Sequence, residues 1–160
     1  MTHLDKPSRI PAFIFDIDGV LANNSWRQHI LKRSGDTKPS SLDWQDFFSA
    51  SEGDGIYEDT LRLLKSLQAS GYAILLVTGR SEDYETLTSR WLSSYGIVPD
   101  RLFQRRHKDF RKDFEIKREM FLSYIDPFYS VLGVFEDRDD CVKMWRDLSL
   151  TCYQPRVAVY

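Results

Sequence analysis

Three apolar runs of strand length in this chain each stop abruptly at a polar cluster. Phe13-Ile14-Phe15 ends at Asp16-Ile17-Asp18-Gly19, Tyr72-Ala73-Ile74-Leu75-Leu76-Val77 ends at Thr78-Gly79-Arg80, and Val131-Leu132-Gly133-Val134-Phe135 ends at Glu136-Asp137-Arg138. Continuous rather than alternating apolar runs mark strands buried on both faces, as in a parallel sheet. Stretches of helical period lie between them. Leu61, Leu64 and Leu67 recur until Gly71, and Tyr84, Leu87, Trp91 and Tyr95 run from a Ser81 cap to Gly96. A short strand at Leu102-Phe103, a helix from Asp113 to Ile125, another through Trp145 and a last strand near Thr151-Cys152-Tyr153 complete the series. The alternation predicts an α/β fold in three layers, with a parallel sheet of about five strands covered on both faces. All three polar clusters then fall at strand carboxyl ends, on the one edge where open α/β folds place ligands.

Each cluster alone is also compatible with an Asp/Gly turn; their convergence favours a site. Lys117 adds a separate signal. On the helix from Asp113, the residues Phe114, Met120, Phe121 and Tyr124 share a face, and Lys117 stands in the middle of it. A lysine there either snorkels to water or points its ammonium into the acidic cleft, with Asp113 one turn away as partner. The second reading suits phosphoryl transfer. Two unit charges 4 Å apart repel by about 4 kcal/mol at an effective dielectric of 20, and a phosphate brings nearly two negative charges. A divalent cation with Lys117 offsets that repulsion. Asp16 is then the candidate nucleophile and Asp18 the candidate general acid and base. Thr78 is placed to hold phosphoryl oxygens, and Asp16, the Asp18 carbonyl and Asp137 to ligate magnesium.

The 160 residues suffice for one domain, 1–160, with residues 22–55 as a small lid anchored by Trp26, Trp44, Phe47 and Phe48. No apolar run reaches the roughly 18–20 residues that span a bilayer, so no membrane role is expected. The start, Met1-Thr2-His3-Leu4-Asp5-Lys6, lacks signal-peptide character. Cys141 and Cys152 lack zinc-ligand spacing and read as thiols of a reducing cytoplasm. His3, His29 and His107 likewise lack metal-ligand spacing. Net charge of −2 argues against general coating of nucleic acid, but 101–112 gathers Arg101, Arg105, Arg106, Lys108, Arg111 and Lys112. Such a run is either a solvated loop or a phosphate-attracting patch beside the cleft.

On Asp16-Ile17-Asp18-Gly19-Val20-Leu21, Thr78-Gly79-Arg80, Lys117 and Glu136-Asp137, the chain resembles the haloacid dehalogenase (HAD) superfamily of phosphatases. More narrowly it is similar to the 3′-phosphatase domain of bacteriophage polynucleotide kinase/phosphatase. That likeness rests on Asp16, Asp18, Arg27, Arg80, Gln104-Arg105, Arg111-Lys112-Asp113 with Lys117, Asp137-Arg138 and Met144-Trp145-Arg146. The resemblance implies a Rossmann-like HAD core and a magnesium-dependent phosphomonoesterase working through an aspartyl-phosphate. The aspartates and Lys117 would carry the chemistry; Arg27, Gly79, Arg80, Arg105 and Arg138 would bind substrate or organise the pocket. Asp113 and Glu136 would support. Glu136 stands where the family usually has aspartate, so metal ligation is expected of Asp137. No Gly-rich loop ending in Gly-Lys-Ser/Thr occurs, so no kinase activity is expected.

The resemblance makes a 3′-phosphate on a nucleic-acid end or nucleotide the leading substrate, in a bacterial or phage-infected cytoplasm. A nucleoside 5′-monophosphate phosphatase is the nearest rival. A phospho-acceptor signalling domain would place its acceptor on a central strand after an acidic pair, and a silent end-binder would not need both Asp16 and Asp18. The lid aromatics either stack a base or pack the lid onto the sheet. DNA versus RNA and the oligomeric state are not legible here.

Overall fold

The computed structural model describes residues 8–35 and 37–158; the Met1–Lys6 start and His3 lie outside the described residues. Strand β1 (Ile10–Phe15) is followed by a segment that holds β2 (Ala22–Asn23), α1 (Gln28–Leu31), α2 (Ser41–Ser49) and β3 (Gly55–Ile56). Then come α3 (Glu58–Ala69), β4 (Ala73–Ser81), α4 (Glu85–Ser94), β5 (Arg101–Arg105), α5 (Asp113–Met120), β6 (Tyr129–Phe135), α6 (Asp139–Asp147) and β7 (Cys152–Tyr153). The five long-range strands form one parallel sheet in the order β5-β4-β1-β6-β7.

The apolar runs explain the layers. Ala12 and Ile14 of β1, with Leu75, Val77 and Val134, point to one face and pack on Ile116 and Met120 of α5 and on Val142 and Trp145 of α6. Phe15, Ile74, Leu76 and Phe135 point to the other face, against Leu61 and Leu64 of α3 and Trp91 and Leu92 of α4. Strands with apolar side chains on both sides need helices on both sides. The segment between β1 and α3 has a separate small cluster of Ile30, Leu31 and Phe47, backed by Trp44 and Phe48. Its base is closed by the antiparallel β2–β3 pair, and Ser40 and Asp43 form a reciprocal capping box at the start of α2.

From β1 the chain goes to β4 and β5 on one side, and later to β6 and β7 on the other. The switch point therefore lies between the carboxyl ends of β1 and β6. Asp16 follows β1 there, its N–H donating to the Phe135 carbonyl at 2.9 Å, and Glu136-Asp137 follows β6.

Two elements differ from the sequence reading. The strand expected to end at Val77 continues to Ser81, but its register against β5 breaks between Val77 and Ser81. Three residues of β4, Thr78 to Arg80, stand opposite Gln104 alone, and such irregularities re-aim side chains beside active sites. The helix expected to run to Ile125 is α-helical to Met120 and closes in a π-turn at Phe121–Ile125. Both Phe121 and Ile125 remain buried, Phe121 edge-on against Trp145.

The layering makes neighbouring leucines of α3 unequal. Leu64→Ala, at a buried site, is expected to cost about 2–5 kcal/mol. Leu63→Ala, where the leucine is 39% exposed, is expected to stay within about 0.5 kcal/mol. Urea denaturation of both variants checks the assignment of faces; equal losses would contradict it.

Candidate active site

Asp16 stands where buried β1 runs out. Its Oδ1 accepts the N–H of Ile17 at 2.7 Å, which fixes the carboxylate beside the backbone. Lys117 reaches the same place from α5. It is fully buried, and its Nζ lies 3.0 Å from Asp16 Oδ2, 3.1 Å from Asp113 Oδ2 and 2.8 Å from Glu136 Oε2. Burial opposes the ammonium's charge, but Asp113, Asp16 and Glu136 more than offset it and raise its pKa well above the usual value. Glu136 is itself tied down. Its Oε2 also accepts the Trp145 indole N–H at 3.3 Å, and its Oε1 takes the backbone N–H groups of Asp137 and Arg138.

Asp18 belongs to a different electrostatic group. Its carboxylate is gripped by Arg80, Nε to Oδ2 and Nη2 to Oδ1 at 2.8 Å each, and by Arg27 Nη2 to Oδ1 at 2.5 Å. Burial would raise the Asp18 pKa, yet the two guanidiniums overcome it and hold the carboxyl far below its ordinary range. Asp54 completes the group. Its Oδ1 accepts from Arg27 Nε at 2.8 Å and from the Trp26 indole at 2.9 Å, and its Oδ2 accepts from Arg27 Nη2 at 2.6 Å. The Asp54 backbone carbonyl takes the Trp91 indole and the Tyr95 hydroxyl. Two carboxylates thus balance two guanidiniums, all four buried.

The remaining expected residues fall as follows. Thr78 is buried, and its Oγ1 accepts the Arg80 N–H at 3.2 Å, leaving its own proton to donate elsewhere. Gly79 passes so close to Asp113 that a Cβ there would lie 2.2 Å from Asp113 Oδ1. Arg27 and Arg105, both expected at the substrate, are engaged within the protein. Arg27 spends Nε and Nη2 on Asp54 and Asp18 and Nη1 on the Phe47 carbonyl at 2.9 Å. Arg105 donates to the carbonyls of Gly79, Asp109 and Arg111, which fixes the loop before α5 next to the Thr78-Gly79 turn. In the basic run, Arg106 reaches the Tyr124 hydroxyl, and Arg111 pairs with Asp109 and Glu119. Arg138 contacts Asp140 at the start of α6.

Asp16, Glu136 and Asp137 present three carboxylate oxygens within 4.8 Å of one another. Asp137 Oδ1 is buried with no hydrogen-bond partner among the described residues, and burial with the nearby Glu136 pushes the Asp137 pKa up to about 8. Burial and neighbouring carboxylates, against Lys117, likewise raise Asp16 well above the carboxylate range. Of four buried acids, Asp16, Asp113 and Glu136 meet the one ammonium, Asp113 also has Arg105 Nη2 at 3.4 Å, and Asp137 has neither. Gly19, at φ +77°, leaves room for Asp137, whose Oδ2 a Cβ would meet at 2.1 Å. All-oxygen donors with surplus negative charge and an orphaned oxygen fit magnesium.

The sequence reading passed over Asp54, which in Gly53-Asp54-Gly55 looks like an ordinary turn, and also over Trp145 as the partner of Glu136. Trp26, Arg27 and Trp91, partners of Asp54, lie 27 to 37 residues away, and Trp145, nine residues from Glu136, looks like one more apolar position of its helix.

With this geometry in place, the likenesses to known proteins are specific. Residues 10–159 match the family model of the polynucleotide kinase PNKP phosphatase domain. A putative bifunctional polynucleotide kinase/RNA ligase of Autographa californica nuclear polyhedrosis virus is 33% identical over 141 residues, 87% of this chain but 18% of the relative. A chain of the Pnkp1/Rnl/Hen1 complex superposes with a TM-score of 0.77 at 32% identity, over 100% of this chain and 51% of that one. This chain therefore spans about half or less of the length of these relatives. A class C acid phosphatase from Bacillus anthracis, at 15% identity and TM-score 0.68 over 96% of this chain and 69% of that one, shares the fold. By its sequence from Ile10 onward and by its sheet, the chain belongs to the family of PNKP phosphatase domains, which are phosphatases of the HAD type.

Proposed function

We propose that this chain removes the 3′-terminal phosphate from a nucleic-acid end or nucleotide, through an aspartyl-phosphate on Asp16 and with magnesium as cofactor. The observation that carries this reading is the Asp16 carboxylate, paired with buried Lys117 and grouped with Asp137, two residues before Asp18 in its arginine clamp. The substrate follows from the family and from relatives that are named for acting on polynucleotides. The metal would be held by Asp16, Asp137 and the Asp18 carbonyl, and it supplies charge neutralisation for the phosphoryl oxygens.

The residues divide the work. Asp16 attacks phosphorus, the bond from phosphorus to the 3′-oxygen breaks, and that oxygen takes a proton from Asp18. Lys117 faces the oxygens that gain charge, and the Thr78 hydroxyl donates to one of them. Asp18, again a carboxylate, then takes a proton from the water that attacks phosphorus, which frees inorganic phosphate and Asp16. The arginine clamp favours the carboxylate form of Asp18 needed for the second half-reaction. An incoming phosphate dianion raises its proton affinity for the first. Arg27 and Arg80 act here by aiming Asp18, Arg105 by shaping the Gly79 turn, and Arg138 and Glu136 by anchoring the ends of α6 and β6.

Residues 22–55 act as a lid on a single domain. This is supported by the clasp at the base, the separate small core, and buried polar atoms of Asn24, Gln28 and Ser51 with no partner among the described residues. Unmet polar groups of that kind cost about 1–3 kcal/mol each, and they lower the stability of this segment relative to the sheet.

A magnesium-dependent phosphate-release panel tests the reading. 3′-Phosphorylated oligonucleotides should be hydrolysed faster than 5′-mononucleotides and sugar phosphates; a preference for 5′-mononucleotides would make the chain a nucleotidase. Asp16→Asn is expected to abolish turnover with an unchanged circular dichroism spectrum, and retained turnover would remove Asp16 as nucleophile. Lys117→Ala should lower kcat by several orders of magnitude. A loss under about tenfold, roughly 1.4 kcal/mol, would leave Lys117 with packing alone. Asp54→Asn leaves a buried guanidinium short of a counter-charge and is expected to cost about 3–5 kcal/mol in urea denaturation. A cost below about 1 kcal/mol would mean that Asp54 is not needed by the clamp.

A further inference from the structure

The four lid aromatics do not share one fate. Phe47 is buried, and Trp44 and Phe48 pack around it with ring centroids 5.5 to 5.8 Å apart. Trp26 stands outside that cluster, 50% exposed. It is nevertheless held firmly. Its Nε1 donates to Asp54 Oδ1 at 2.9 Å, and its ring lies over Gly53, where a Cβ would come within 3.1 Å of Cζ2. The same Asp54 oxygen accepts Arg27 Nε, and Arg27 Nη2 grips Asp18. Three hydrogen bonds in series therefore link the indole to the proposed general acid. A half-bare aromatic ring with its polar atom already satisfied gains nothing for the fold by its exposure. It is a rigid apolar surface at the edge of a charged site, and preorganised surfaces bind with little loss of freedom.

We propose that Trp26 is the platform on which the base of the phosphate-bearing terminal nucleotide stacks; this rests on the nucleic-acid reading above. The groups around Asp16 recognise a phosphoryl dianion and are blind to what carries it. A fixed indole nearby adds affinity for any nucleobase, since every base has a π-face. Gly53 lies against the ring, and a side chain there would crowd it by a few tenths of an ångström.

The test compares two oligonucleotides of one sequence, each with a 3′-phosphate, one with a normal terminal nucleoside and one with an abasic terminal sugar. In the unaltered protein kcat/KM is expected to favour the base-bearing end by about tenfold. In Trp26→Ala that ratio should fall to near one, and in Trp26→Phe it should be largely restored although the bond to Asp54 is lost. Because each ratio is taken within one protein, a general loss of Asp18 alignment cancels. Cleavage of both ends with the same ratio in Trp26→Ala overturns the stacking role alone. So does a ratio that collapses instead in Phe110→Ala, an 87% exposed phenylalanine in the loop before α5. If the unaltered protein cleaves neither oligonucleotide yet releases phosphate from other monoesters, the substrate reading fails and the stacking role with it.

Discussion

A lysine ammonium sealed from water and ringed by Asp16, Asp113 and Glu136 governs the rest of this molecule. Removing a charge from water costs several kcal/mol, and an ion pair repays that only with close, complete contacts. Lys117 has three. The carboxylates around it, with Asp137, nevertheless outnumber it, and the imbalance appears as raised proton affinity at Asp16 and Asp137. This half of the site is short of positive charge by construction. A few ångströms away, Asp18 and Asp54 against Arg27 and Arg80 form a group with no net charge. The fold therefore keeps a carboxylate group with surplus negative charge at Asp16 and a self-balanced group at Asp18 in adjoining compartments, which on the reading proposed above lets a cation and a phosphate meet the first without dismantling the second.

Small residues make the two compartments possible. At Gly19 and Gly79 any Cβ would occupy the position of an oxygen of Asp137 or Asp113. The motif glycines serve close approach, and at Gly19, with its positive φ, also the turn. The register of β4 against β5 breaks at the same place, between Val77 and Ser81, beside Thr78 and the Arg80 that grips Asp18.

How much of this could be read from the chain depends on how local each signal is. Strands β1, β4 and β6 were legible because short unbroken apolar runs bounded by turn residues favour buried strands, β5 and β7 only through the alternation with helices, and Lys117 stood out because a charge in the middle of an apolar helical face demands an explanation. The strand end at Val77 was misplaced because Thr78-Gly79-Arg80 breaks the apolar pattern without breaking the strand. The π-turn at Phe121–Ile125 leaves the apolar spacing intact, so periodicity could not find it. Asp54 and the inward turn of Arg27 were invisible for a deeper reason. Their roles are defined by partners such as Trp91 and Arg80, tens of residues distant, and a lone acid between two glycines is also what a surface turn looks like.

That last contrast bears on how such a site acquires selectivity. Asp16, Thr78, Glu136 and Asp137 are fixed at strand ends, where a shift of one residue would disturb the sheet, and Lys117 by the helix α5 packed on it. The segment 22–55 is closed at its base by a two-residue strand pair, and several of its buried polar atoms have no partner among the described residues. Asp54 holds Trp26 and Arg27 together, Arg27 grips Asp18 directly, and Glu52 pairs with Arg90 of α4. Substitutions on that segment can alter what is recognised without touching Asp16 or Lys117, provided Asp54 stays buried and charged. The segment is tied into the core by Arg27 on Asp18 and by the Asp54 carbonyl on Trp91 and Tyr95, and on the reading proposed above it carries recognition while the sheet carries the chemistry.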